Sequence, residues 1–175
     1  MNNMEEIIIK DKILTWLETK DINEELSLKY VNLVSEHICS CVLNLPKVNV
    51  IFEQLDENMS IYDIMNNVVR LNPKYIMNKP QLVYNLLHEL EHYYQLAYIS
   101  SVNTNKAVRW KKEFQNYITD KDKDNNPFQE IEIDAEAFAQ IILSKEYNLI
   151  LKNRDPLLQE VIERYIKLNK INSDD

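Results

Sequence analysis

Two histidines with a glutamate between them are the residues in this sequence best placed to do chemistry. His88-Glu89-Leu90-Glu91-His92 has its histidines four positions apart. On an α-helix, positions i and i+4 lie on one face, so both imidazoles can bind the same metal ion. Glu89 follows the first ligand directly, where its carboxylate can reach a water on that metal without binding the metal itself. This pattern is typical of sites in which zinc activates water and a carboxylate acts as general base.

The motif is predicted to lie on a helix that starts near Asn78. Asparagine is a good cap residue, and Pro80 suits the first helical turn. Neither proline nor glycine interrupts the chain from there to Ile99. Apolar residues recur at helical spacing at Leu82, Val83, Leu86, Leu87, Leu90, Tyr94 and Ala97. His88 and His92 lie beside this stripe, so we expect them at the edge of a core. The alternative is that both histidines only form hydrogen bonds there, but this would leave Glu89 unexplained.

A third protein ligand is needed, and the sequence restricts where it can come from. A longer form of the motif has a glycine three residues after the second histidine and another histidine three further on. Those positions are Gln95 and Tyr98 here, which excludes that class. His37 is the remaining histidine and lies far upstream, where a structural role is the simpler interpretation. The site is therefore predicted to contain two histidines and one carboxylate from a later helix.

Residues 127–139 are the best source of that carboxylate. Glu132 and Glu136 lie one helical turn apart on the flank of an apolar stripe, and small alanines would allow close helix packing. The stripe comprises Ile131, Ala135, Phe138, Ala139 and Ile142. The alternative is a solvated acidic edge, which charged runs usually form.

Together the two motifs resemble the ImmA/IrrE-type metallopeptidases of bacteria and their mobile elements. That family pairs HExxH with a downstream helix that Glu132-Ile133-Asp134-Ala135-Glu136-Ala137-Phe138-Ala139 largely matches. The resemblance covers roughly residues 45–145. It implies one Zn²⁺ ion held by His88, His92 and Glu132, with Glu89 as the catalytic base. Glu136 replaces the usual asparagine, and it either orients a ligand histidine or is itself the third ligand.

Three short strands are predicted before the motif helix, over 48–53, 60–64 and 67–72. The resemblance implies that the strand preceding the active helix forms the sheet edge where an extended peptide docks. Val68, Val69, Arg70 and Leu71 would then offer backbone hydrogen bonds to substrate. An ordinary core strand is the alternative.

The remaining segments predict an α+β fold, a mainly helical zincin-like domain. A small, partly antiparallel three-stranded sheet is expected to pack on the HExxH helix. Further helices are predicted over 5–19, 21–43, 105–117 and from Asp155-Pro156 onward, with a loop over 119–126. We expect one domain over 1–175, made of an N-terminal helical pair (1–45), a catalytic unit (46–145) and a C-terminal helix (146–175).

Composition sets the remaining bounds. A formal net charge of −8 argues against direct binding to nucleic acid. The sequence has no apolar run of membrane length and no signal-peptide pattern, so we expect a cytoplasmic protein without a membrane partner. Cys39 and Cys41 are predicted to be reduced packing residues. Glycine is absent, so asparagines such as Asn66-Asn67 and Asn125-Asn126 should take the positive-φ positions.

Two functions from different classes remain open. The first is zinc-dependent hydrolysis of a protein or peptide substrate, in which Glu89 takes a proton from a zinc-bound water. By resemblance, this would be a regulatory protease of a bacterial or phage system, with a repressor or other regulatory protein as partner. The second is a non-catalytic interaction module that zinc stabilises. The sequence favours the first, because Glu89 has no evident structural role in the second.

Overall fold

The computed structural model describes residues 3–20, 23–55, 60–116 and 128–171. It confirms an α+β architecture that is mostly helical, with six α-helices and a small mixed three-stranded sheet in the described residues. In chain order the elements are α1 (Asn3–Glu18), α2 (Glu24–His37), a π-helical turn (Ile38–Val42), β1 (Asn49–Phe52), β2 (Ser60–Asp63), β3 (Val68–Leu71), a 3₁₀ turn (Pro73–Tyr75), α3 (Lys79–Ser101), α4 (Asn105–Gln115), α5 (Glu130–Tyr147) and α6 (Pro156–Ile171).

The predicted elements are confirmed, with differences at some ends. Asp21 lies outside the described residues, and Asn23 caps α2 by accepting a hydrogen bond from the Leu26 amide at 3.0 Å. The helix predicted to run to residue 43 widens into the π-helical turn, where the Leu43 amide donates to the Ile38 carbonyl at 3.0 Å. The loop expected over 119–126 also lies outside the described residues. The division of the chain into three parts stays a prediction.

The order of the sheet corrects one prediction. The strands lie in the order β1-β3-β2, with β3 parallel to β1 and antiparallel to β2. Val68, Val69, Arg70 and Leu71 therefore form the central strand, and their predicted place at a peptide-docking edge is wrong. The physical reason is that β2 folds back as a hairpin onto β3 while β1 fills its other side. β2 is the edge strand nearest the motif helix among the described elements.

Helix α3 occupies the middle of the fold. Leu82, Leu86, Leu87 and Leu90 are fully buried, and the helix packs against α5 on one side and the sheet on another. Val69 and Leu71 of the central strand belong to the same core cluster. Burial on several sides fixes the rotation of α3, which determines where its polar residues point.

Both helices that carry the predicted site residues have well-defined beginnings. The Asn78 side chain accepts from the Gln81 amide at 3.2 Å, as the predicted α3 cap should. At the start of α5, Gln129 gives no side-chain cap. Instead Glu113 of α4 accepts the Ile131 amide at 2.9 Å, which places a carboxylate at the positive end of the helix dipole.

Wherever a described residue of this glycine-free chain has positive φ, it is an asparagine. Asn44, Asn67 and Asn148 have φ values of 53°, 50° and 54°. Asn67 confirms the prediction for the β2–β3 turn, while Asn66 does not adopt positive φ and Asn125-Asn126 lies outside the described residues. Asn148 ends α5 as its left-handed cap.

Two further observations concern the cysteines and the membrane. Cys39 and Cys41 are thiols rather than halves of a disulfide, as predicted. Among the described residues, no helix has both the length and the apolar character that crossing a bilayer requires.

Candidate metal centre

Helix α3 brings the two motif histidines together on one face. The ring centroids of His88 and His92 are 4.8 Å apart with nearly perpendicular planes. Their Nε2 atoms lie 3.1 Å from each other. Both side chains are mostly buried, at 15% and 9% exposed. The i, i+4 spacing therefore does what the sequence predicted and aims two ring nitrogens at one point.

Glu132 of α5 contributes a carboxylate to the same point. Its Oε2 lies 3.2 Å from His88 Nε2 and its Oε1 lies 3.3 Å from His92 Nε2. Ligands at about 2.0 Å from a tetrahedral zinc are separated by about 3.3 Å. The distances among these three side chains match that separation, so His88, His92 and Glu132 could hold one metal ion.

Glu136 contacts the opposite nitrogen of His88. Its Oε1 lies 3.3 Å from His88 Nδ1, while its Oε2 accepts hydrogen bonds from the Tyr84 hydroxyl and, at 3.1 Å, from Asn153 Nδ2. With a metal bound, a carboxylate in this position would fix the proton on Nδ1 and keep the Nε2 lone pair for the ion. This geometry matches the orienting role that was one of its two predicted roles.

Gln95 orients the His92 ring through its Nδ1, as Glu136 orients the His88 ring. This role of Gln95 was not predicted from the sequence. Its Oε1 lies 2.9 Å from His92 Nδ1, and its Nε2 donates to the Ile131 carbonyl at 2.9 Å and to Asp134 at 3.1 Å. Gln95 is fully buried. Its position one turn after His92 was the available signal, since i and i+3 share a helix face.

The electrostatics of the cluster favour a positive charge between its carboxylates. Burial alone would lower the pKa of His88, but hydrogen bonds with Glu132 and Glu136 outweigh it and raise this pKa well above its usual value. For Glu132, burial works toward a higher pKa, yet the hydrogen bonds with His88 and His92 lower it strongly. For Glu136 the bond with His88 likewise overcomes burial and lowers the pKa. A divalent cation would satisfy two ionised carboxylates at least as well as a proton does.

Glu89 lies beside these ligands but is held by the edge strand. It is 7% exposed. Its Oε1 accepts from the Ser60 hydroxyl at 2.8 Å and its Oε2 from the Tyr62 amide at 2.7 Å. The Tyr62 amide therefore points away from β3 toward α3. Glu89 therefore has a structural role, because it joins β2 to the motif helix. This role was not predicted from the sequence.

Two acidic residues, the buried Glu91 and the partly buried Asp134, lie close together near the histidines. Glu91 is 4% exposed, and burial followed by the proximity of Asp134 raises its pKa well above the usual value. Asp134 also accepts the Tyr165 hydroxyl at 2.5 Å and the Gln95 amide. The hydrogen bonds of Gln95 and Tyr165 with Asp134 extend the network from His92 to α6.

Two other predicted residues lie away from the ligands. On β3, Arg70 forms ion pairs with Asp63 and Glu53. His37 is fully buried at the end of α2, where burial outweighs two nearby carboxylates and lowers its pKa. Its Nδ1 lies 3.1 Å from the Tyr147 hydroxyl. The structural interpretation of His37 agrees with this burial.

No protein-family model, curated protein or solved structure matched this chain. The resemblance drawn from the two motifs therefore stays a prediction.

Proposed function

We propose that this protein is a zinc-dependent peptidase of zincin type, with His88, His92 and Glu132 as the metal ligands. One observation carries the proposal: two imidazole nitrogens and a carboxylate converge at 3.1 to 3.3 Å. Nitrogen and oxygen donors in this set suit zinc, and three protein ligands are typical of catalytic rather than structural zinc sites. Glu136 and Gln95 are assigned to orient the two rings.

Zinc in this position would supply Lewis-acid polarisation and a water of lowered pKa. The chain supplies the base. Glu89 follows His88 on the same helix, and its carboxylate oxygens accept two hydrogen bonds from β2. To take a proton from water and pass it to the leaving amine, it must exchange at least one of these donors for the water.

The proposed substrate is an extended peptide that adds to β2. This strand, not β3, is the free edge beside Glu89 among the described elements. Peptides bind such edges through backbone hydrogen bonds. A substrate carbonyl that accepted the Tyr62 amide would take over one of the donors that now hold Glu89. Substrate binding would then release the base toward the reacting water.

The test compares Glu89→Gln with the wild-type protein. The probe is a mixed synthetic peptide library, with cleavage followed by mass spectrometry and bound zinc measured by elemental analysis. We expect Glu89→Gln to keep zinc and lose about 10²- to 10⁴-fold in cleavage rate, the usual contribution of a general base. Glu91→Gln is the matched control on the same helix, and it should keep both zinc and activity because Glu91 bonds Asp134 instead. Undiminished cleavage by Glu89→Gln would refute the assigned base.

A second function is favoured by the hydrogen bonds of Glu89. Because this carboxylate joins β2 to α3, it has a reason to be present in a protein that binds zinc without catalysing hydrolysis. A zinc-stabilised interaction module would contain stoichiometric zinc and cleave no peptide in the library. In that protein, Glu89→Gln would lower thermal stability and nothing else.

The biological setting follows from the resemblance alone. A regulatory protease of a bacterium or mobile element would act in the cytoplasm on a repressor or similar protein partner. Affinity purification of the Glu89→Gln variant from its native host should then retain that partner, because a variant that binds but does not cleave traps its substrate. Recovery of the same partners by Glu132→Ala and Glu89→Gln in equal amounts would argue against recognition at the metal centre.

A further inference from the structure

A second group of metal-ligating side chains lies at the end of α2, apart from the site already described. Glu6 of α1, His37 of α2 and Cys41 of the π-helical turn each offer a ligand atom, and these atoms all lie within 4.8 Å of one another. Glu6 Oε1 is 3.9 Å from His37 Nε2. Three separate elements therefore bring a carboxylate, an imidazole and a thiol to one place.

The His37 ring is oriented as a ligand ring would be. Its Nδ1 is paired with the Tyr147 hydroxyl at 3.1 Å, which leaves Nε2 to face Glu6. The imidazole is fully buried, and within the described part of the chain Nε2 has no hydrogen-bond partner. A buried nitrogen in this condition is costly unless something binds it. Metal-bound histidines commonly show this division, with one nitrogen fixed by an outer partner and the other on the ion.

The spacing suits a metal better than a direct hydrogen bond. The 3.9 Å between His37 Nε2 and Glu6 Oε1 exceeds hydrogen-bond distance. Zinc ligands lie about 3.3 to 3.5 Å apart when the bonds are about 2.0 to 2.3 Å long. Glu6 is 41% exposed, so its side chain can move by the half ångström that this pair requires, and the ligand atoms of the whole group, which lie within 4.8 Å of one another, would draw together around the ion. Glu146 Oε2 lies at a similar 4.0 Å from Nε2 but is ion-paired with Lys10 at 2.9 Å, so we do not count it among the ligands.

The group of Glu6, His37 and Cys41 lies where a bound metal would stabilise the first half of α1. Met4, Ile7 and Ile8 in the first half of α1 are largely exposed, whereas Ile13 and Trp16 in its second half are buried. Ile9 is partly buried against the core, so the first half of α1 has fewer apolar contacts than the second half. A metal shared by Glu6, His37 and Cys41 would tie that half to the end of α2.

We propose that Glu6, His37 and Cys41 form a structural binding site for a thiophilic divalent ion of the zinc class. The thiolate favours such ions over magnesium or calcium. A π-helical turn carries Cys41, and such turns often occur at functional positions. This proposal does not depend on the peptidase proposal, because the two sites share no residue.

Cobalt(II) titration of the metal-free full-length protein separates the two sites. A cobalt–thiolate bond gives a sulfur-to-metal charge-transfer band in the near ultraviolet, and the His88–His92–Glu132 group contains no sulfur. We expect wild-type protein to show this band and Cys41→Ser to lack it. Cys39→Ala, which removes the buried neighbouring thiol, is the matched control and should keep the band. Loss of the band in Glu132→Ala, or its absence from wild type, would overturn the proposal.

A second measurement needs no variant that might fail to fold. Zinc bound to Cys41 should slow its alkylation by iodoacetamide by at least about tenfold, since a metal-bound thiolate is a poor nucleophile. Peptide mass spectrometry reads Cys41 and Cys39 separately. The surface variant Glu6→Gln should weaken this protection by at least about tenfold in zinc concentration, because a neutral amide is a poorer zinc ligand than a carboxylate. Equal alkylation of Cys41 with and without zinc would overturn the proposal.

Discussion

The two histidine clusters differ in how completely their rings are held. At His88 and His92, each Nδ1 has a side-chain partner, and both Nε2 atoms lie 3.2 to 3.3 Å from one carboxylate. At His37, Nδ1 has its partner, but Nε2 lies 3.9 and 4.0 Å from two carboxylates. The first cluster is organised for a metal in advance, whereas the second must close around one. Pre-organisation lowers the cost of binding, so the first cluster should bind zinc more tightly.

Helix α5 contributes residues to the surroundings of both histidine clusters, but at opposite ends of the helix. Glu132 lies near its start and Glu146 near its end, about 21 Å apart at the rise of an α-helix. Substitutions at one cluster should therefore leave the other unchanged, and this independence makes the comparison testable.

The largest effect is expected from Glu132→Ala. Removing the carboxylate that contacts both Nε2 atoms should lower zinc affinity at the first cluster by more than about 100-fold, beyond the range for partners that only orient ligands. Competition with a chromogenic chelator measures this loss, and the cobalt–thiolate band should be unaffected. If Glu132→Ala kept its zinc while Glu136→Ala lost it, the roles of these two residues would have to be exchanged.

Glu136→Gln should have a smaller effect on the same cluster. The amide can still meet His88 Nδ1, but it lacks the charge that holds the proton there. We expect a 10- to 100-fold loss of zinc affinity, the usual result of altering a partner behind a ligand histidine. The same chelator competition applies. A loss as large as that of Glu132→Ala would indicate direct ligation.

A matched pair of substitutions compares the outer partners of the two clusters. Gln95→Leu removes the partner of His92 Nδ1, and Tyr147→Phe removes that of His37. Each should weaken zinc binding about tenfold at its own cluster and leave the other unchanged. Isothermal titration of the two variants, read beside the cobalt–thiolate band, assigns each loss. An effect of Tyr147→Phe on the first cluster would contradict the independence of the two regions.

The smallest effect concerns stability rather than binding. In the folded protein the pKa of Glu91 is raised well above 4.5, so folding favours its protonated form. The free energy of unfolding of the wild type therefore falls as the pH rises from the pKa of Glu91 in the unfolded chain toward its higher pKa in the folded protein. Glutamine does not titrate, so the variant does not show this loss. Glu91→Gln should match the wild type near pH 4 and gain on the order of 1 kcal/mol by pH 7. Urea denaturation at both pH values measures the difference, and a constant difference across pH would show that Glu91 is ionised in the fold.

The sequence was sufficient for features that depend on local periodicity. The apolar spacing of α3, its Asn78 cap and the i, i+4 histidines all follow from a single helix, and they were predicted. Glu132 and Glu136 could also be placed, because one helical turn separates them. The contacts of these glutamates with different nitrogens of His88 could not, since they depend on how α5 crosses α3.

The errors came from contacts between elements that are distant in sequence. β3 directly precedes the motif helix, yet it is central because β1 and β2 pair on either side. The Ser60 and Tyr62 hydrogen bonds to Glu89 join residues that lie 29 and 27 positions apart. The surroundings of His37 likewise come from three elements, and no motif spacing links Glu6 to Cys41. Periodicity carries no information about such pairs.

The three left-handed asparagines have a consequence for how the protein ages chemically. Deamidation begins when the backbone nitrogen of the following residue attacks the asparagine side chain, and it is fastest when that residue is glycine. Here Asn44, Asn67 and Asn148 are followed by leucine, valine and leucine. The bulky residues that follow these asparagines hinder this ring closure. These turns therefore form without an Asn-Gly dipeptide, the sequence at which asparagine deamidates fastest on storage.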